Sequence, residues 1–134
     1  MTSPSLPVRL ARWFDFRLHE SCLVPSAGVR LFGLEIVDET RLDHLSSPSV
    51  RPVFLAEAHD LDALVAHPEA VRGLDFDATA LVEHPWVVVP PSPRPQAFRG
   101  RRRVRTVQVI TALGTATVTR FLDDPSVVVL HPAA

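Results

Sequence analysis

Apolar and polar residues alternate with period two along much of this chain, and each run stops at a proline, a glycine or a small-polar cluster. In the first run Val8, Leu10, Phe14, Phe16 and Leu18 share one parity, interrupted by Arg12, while Arg9, Asp15 and Arg17 share the other. That pattern predicts a half-buried strand over Val8–Leu18 with Trp13 on its wetter side. Pro25-Ser26-Ala27-Gly28 marks a turn. Val29 to Val37 then predicts a second strand, antiparallel to the first, with Phe32, Leu34 and Ile36 on one face. Asp38 to Ser49 is polar and reads as a loop or a single helical turn. Val50 to Ala58 is β-compatible, but Pro52 removes a ladder donor and points to an edge strand or a strand start.

Asp60 is placed to cap a short helix, LDALVAH, whose Leu61, Leu64 and Val65 fall at helical spacing. Pro68 interrupts it and opens a second turn that Gly73 closes. Asp75 to Val82 alternates again, and Pro85 separates it from Trp86-Val87-Val88-Val89. The connector PPSPRP that follows reads as stiff and extended. Val104–Leu113 and Ala116–Leu122 flank Gly114-Thr115 and predict a β-hairpin. Val127 to Leu130 forms the last strand, after the turn Asp123-Asp124-Pro125-Ser126.

The sum is an α+β fold: a mostly antiparallel curled sheet or partial β-barrel of about six or seven strands with one short helix. The passage from Val50–Ala58 through the helix to Phe76–Val82 could form a crossover unit. A length of 134 residues suits a single domain, with residues 1–7 as a frayed lead-in and 90–103 as a Pro/Arg-rich loop.

Charge changes this picture more than composition does. Residues 1–83 carry seven arginines against thirteen acids, residues 84–122 carry seven arginines and no acid, and Asp123 and Asp124 bring the total to −1. Arg99, Arg101, Arg102, Arg103 and Arg105 crowd together, with Arg94 just upstream. A core-facing strand register does not accommodate three arginines in a row of alternating positions, so the cluster is expected to overhang the sheet. Such a patch fits an acidic protein surface or nucleic-acid phosphates. It also fits the ordinary alternatives of a solvated loop or pairing with the chain's own acidic half. Nucleic acid is disfavoured by the absence of tyrosine and of any recognisable RNA- or zinc-finger pattern.

Catalytic chemistry has less to stand on. Cys22 is the only cysteine, which excludes an internal disulfide and a multi-cysteine metal site. His19 lies close to it in sequence, but a Cys–His dyad needs geometry that proximity alone does not supply. Glu57, His59 and His84 are of ligand type, yet no spaced metal motif holds them; a cavity or metal site there is the alternative of a small β-barrel-like enzyme. Glycines are dispersed and form neither a P-loop nor a dinucleotide fingerprint, so no cofactor is expected. No basic leader followed by an apolar run opens the chain, and no apolar stretch approaches the roughly 20 residues of a membrane helix. The expectation is a cytoplasmic, non-catalytic interaction or assembly protein that uses Arg94, Arg99, Arg101, Arg102, Arg103 and Arg105 on an acidic partner, and that pairs with another copy of itself through sheet edges.

Overall fold

The computed structural model describes residues 4–89 and 100–132. Its first element is a helix, α1 (Leu6–Glu20), where the alternation predicts a strand. Leu10, Phe14 and Leu18 satisfy both readings, because steps of four are even as well as helical. The residues that separate the two lie at odd positions: Ala11, Trp13 and Asp15 are buried with the others, whereas Phe16 is only half-buried. No turn residue breaks the run after Pro7, which sits in the first turn where its missing N–H costs nothing. Leu6 and Pro7 therefore belong to the helix and not to a frayed lead-in.

Among the described residues seven strands follow, all antiparallel to their neighbours, in one open sheet. They are β1 (Val29–Ile36), β2 (Val50–Ala58), β3 (Ala78–Glu83), β4 (Trp86–Val89), β5 (Gly100–Thr111), β6 (Gly114–Phe121) and β7 (Val128–Pro132). The order across the sheet is β2-β1-β3-β5-β6-β7, and β4 pairs β5 beyond the end of β3. The α+β curled sheet expected from the patterning is thus present, with seven strands without the N-terminal segment. β2 is an edge strand, as Pro52 requires. A short helix, α2 (Leu61–Val65), is capped by Asp60, whose Oδ1 accepts from Ala63 N at 2.8 Å. With the 3-10 segment Pro68–Asp75 it carries the chain from β2 to β3 across the outer face of β1.

One face of the sheet packs against α1. Leu34, Ala80, Val82, Val107, Val109, Ala116 and Val118 meet Leu10, Trp13, Phe14 and Leu18 in the main core. Fully burying each large side chain of this kind contributes about 1.5–3 kcal/mol. The smaller core on the opposite face joins Leu31 and Leu55 to Leu64, with Phe76 packed over Gly33. Gly33 is required there: a Cβ would lie 2.3 Å from the Phe76 ring.

Three residues spaced by four on α1 hold the loop before β2. Arg9 reaches Asp43 Oδ1 at 3.0 Å and Glu39 O at 2.9 Å, Trp13 Nε1 donates to Ser47 O at 2.9 Å, and Arg17 donates to Ser46 O at 3.3 Å. Trp13 is therefore a core anchor and not a solvent-facing one. Among the described residues no helix is long and apolar enough to cross a membrane.

Candidate functional site: the arginine-rich ribbon

β3, His84-Pro85 and β4 form one bent strand against β5, so the chain runs out along β4 and returns along β5 as a two-stranded ribbon. Val104 N donates to Pro85 O at 3.0 Å across the bend. Past this point β5 is the only strand that β4 pairs with among the described residues. Residues 100–103 are therefore strand and not loop, paired residue by residue with Trp86–Val89. Arg94 and Arg99 lie outside the described residues.

Most of the cluster's other arginines are used inside the fold. Arg105 is 3% exposed, which removes it from any partner-facing surface. Its Nε donates to His84 Nε2 at 3.3 Å and its Nη2 to Leu23 O at 3.3 Å, while Nη1 has no partner among the described residues. Arg103 donates to His84 O at 3.1 Å and Ser26 O at 3.0 Å and lies over the Trp86 ring. Arg30 adds a bond to Val24 O at 3.2 Å. Three guanidinium groups thus hold the carbonyls of the α1–β1 loop, where the dipole at the end of α1 also favours positive charge. Arg103 and Arg105 are tolerated on the core-facing side because backbone carbonyls and the His84 imidazole accept from them.

Arg102 turns to the other face of the ribbon. It forms a two-pronged pair with Asp123 at 2.8 and 2.7 Å and stacks on Phe121, 4.2 Å from its centroid. The guanidinium holds the Asp123 carboxyl below the usual carboxylate range. Arg101 is exposed on the same side as Arg103 and Trp86, and Trp86 itself is 56% exposed. The acidic first half, meanwhile, finds its cations locally: Arg9 with Glu39 and Asp43, Arg30 with Glu57, Arg51 with Glu35, Arg72 with Glu69. Among the described arginines of the basic half, Arg120 pairs with an acid of the first half, the buried Asp15 beneath α1.

His84 sits at the centre of this arrangement, 4% exposed. Burial, and then the charges of Arg105, Arg30 and Arg103, push its pKa from 6.5 down to about 4. Ser26 N approaches Nδ1 at 3.4 Å while Arg105 approaches Nε2. A neutral imidazole has one free nitrogen lone pair, so these two long bonds compete for it and only one of the two nitrogens accepts at a time.

The other sequence candidates do not converge. Glu57, His59 and His84 surround the same end of the sheet, where a depression of about 260 Å³ is lined by His59, Asp60, Glu83 and His84 among others. Each is already engaged: Glu57 with Arg30 at 3.6 Å, His59 with Asp60 at 3.1 Å, and His84 with Arg105. Among the described residues no three His, Cys, Asp or Glu side chains are grouped to hold a metal ion. Cys22 is exposed just past α1 with φ 55°, its Sγ 4.0 Å from Glu20 O.

Sequence reasoning did not single out the groove of about 560 Å³ on the outer face, between α2, the 3-10 segment and β5. Leu61, Val65, Val71, Leu74 and Ile110 line it, all of them exposed. The legible signal was the surplus of apolar residues on the short helix beyond the one face it can bury. Comparison with protein-family models, with curated proteins and with solved structures finds no match to this chain.

Proposed function

We propose that this is a small non-catalytic interaction protein that engages an acidic partner through the outer part of the β4–β5 ribbon. The observation that carries the reading is the exposed Trp86 with Arg103 stacked on it and Arg101 exposed on the same side. Tryptophan and arginine are the side chains that most often dominate a binding interface, the first by area and the second by charge and planar hydrogen bonding. The internal arginines narrow the reading: Arg105 and Arg103 shape the ribbon and its supporting loop, and Arg101 and Trp86 meet the partner.

The test uses poly-glutamate and duplex DNA as probes of the two acidic chemistries, with the full chain and with Trp86→Ala and Arg101→Glu. Expected is salt-sensitive binding of poly-glutamate that each substitution weakens about tenfold, with circular dichroism unchanged. Equal binding by the variants sinks the reading. Preference for DNA, with affinity falling steeply in log salt, replaces the acidic protein by a nucleic acid.

A further inference from the structure

Among the described residues the six-strand path of the sheet ends in β2 on one side and β7 on the other, and these two edge strands differ in chemistry. At one, β2 carries Arg51, Pro52 and Glu57, and its ladder with β1 shifts register between Leu31 and Phe32. Charge, proline and a bulge are the devices that keep an edge from pairing with another chain. At the other edge, β7 and the residue before it read Val127-Val128-Val129-Leu130, with no charge and no proline before Pro132. The three valines are 38%, 44% and 38% exposed.

Hydrogen bonding on the β6 side fixes which groups β7 leaves open. Phe121 N donates to Val127 O at 3.2 Å, and the register continues through Arg120↔Val128, Thr119↔Val129 and Val118↔Leu130. Antiparallel alternation then turns the N–H and C=O of Val129 toward β6, and those of Val128 and Leu130 outward. We propose that two copies of this chain pair β7 to β7, antiparallel about a twofold axis at Val129. In that register Val128 and Leu130 of one copy exchange bonds with Leu130 and Val128 of the other, giving four ladder bonds. Val129 meets its own counterpart on the outer face. Val128 meets Leu130 on the α1 face, beside an existing cleft of about 310 Å³ whose lining includes Phe16, Leu45 and both of these residues.

The strand suits itself better than it suits a different occupant. An isologous contact brings each central side chain onto its own kind, which rules out charge there and rewards aliphatic pairs. Pairing β7 with β2 of another copy would instead meet Pro52, Arg51 and Glu57, and would propagate without closing. A five-residue strand about 17 Å long covers on the order of 300 Å² per copy, below the ~800 Å² of a stable interface, so the dimer is weak and reversible. This inference stands apart from the ribbon's partner.

Sedimentation velocity on the full chain from about 10 μM to about 1 mM tests it in the range such an area supports. Expected is a shift from monomer toward dimer, with nothing larger. Val129→Lys sets two like charges opposite each other, and Val128→Pro removes an outward N–H from an exposed position without touching the β6 ladder. Each should raise the dissociation constant about tenfold or more while the melting curve of the monomer is kept. In a Cys22→Ser background, Val129→Cys should oxidise to a covalent dimer, because a non-hydrogen-bonded antiparallel pair places its Cα atoms about 4.5 Å apart. A monomer throughout with no cross-link overturns the proposal. So does a dimer indifferent to both edge variants, or growth into open polymers.

Discussion

Replacing Arg120 by alanine isolates the ion pair that, among the described residues, joins the two charge halves of the chain. Arg120 Nη2 and Nε donate to Asp15 Oδ2 at 2.7 and 3.0 Å, and Nη1 donates to Pro125 O. The side chains are 11% and 2% exposed, so the carboxylate is the more deeply buried partner. Its Oδ1 has no partner among the described residues, and removing the guanidinium would leave the whole group unpaired among them beneath α1. Breaking a buried pair from one side costs about 3–5 kcal/mol; the nearby Arg105 charge argues for the lower end, about 3 kcal/mol. The reverse deletion, Asp15→Ala, leaves a guanidinium that keeps Pro125 O and can reach water, at about 1–2 kcal/mol. Asp15→Leu combined with Arg120→Met removes both charges and should fall within about 1 kcal/mol of the parent. Urea unfolding at neutral pH reads all of these. With a slope near 2 kcal/mol per molar, the Arg120→Ala midpoint should drop by about 1.5 M. A cost for Arg120→Ala under about 1 kcal/mol, or one smaller than that for Asp15→Ala, would refute the reasoning.

His84 makes stability depend on pH in a defined window. Its folded pKa of about 4 lies below the ordinary 6.5, so between those values the unfolded chain binds more protons and stability rises with pH. The contribution is complete above about pH 6.5 and lost as pH falls toward 4, at most about 3 kcal/mol in total. The difference in urea midpoint between neutral and acidic buffer should shrink in His84→Gln, and an unchanged difference would remove His84 as its source. Gly33→Ala should destabilise by about 2 kcal/mol, because the new methyl meets the Phe76 ring at 2.3 Å and one of them must move; an unshifted thermal midpoint would show that Phe76 swings aside freely.

Six of the strands and the Val104–Thr111 part of β5 were legible because apolar and β-branched residues alternate along them between local turn signals, whereas residues 100–103 of β5 were not, because consecutive arginines carry no such alternation. The same locality gave the Asp60 cap and the edge position that Pro52 imposes on β2. Val8–Leu18 was not legible by parity, because a helix that buries residues 10, 14 and 18 reads as an alternating strand at those positions. Only the packing of Ala11, Trp13 and Asp15 against the sheet and the loop before β2 separates the two.

The arginine cluster divides along the same line. Sequence alone determined that positive charge concentrates in residues 84–122 and that no spaced catalytic or metal motif accompanies it. Which guanidinium groups face outward depended on where the α1–β1 loop returns. Its carbonyls at Leu23, Val24 and Ser26 come to Arg105, Arg30 and Arg103 across 82, 6 and 77 positions of sequence, respectively. A carbonyl carries no residue-specific signature, so no pattern in the chain marks it as the partner of an arginine. The tertiary structure decides that pairing by burying donor and acceptor together, and with it decides that Arg101 and Trp86 are left for the surface.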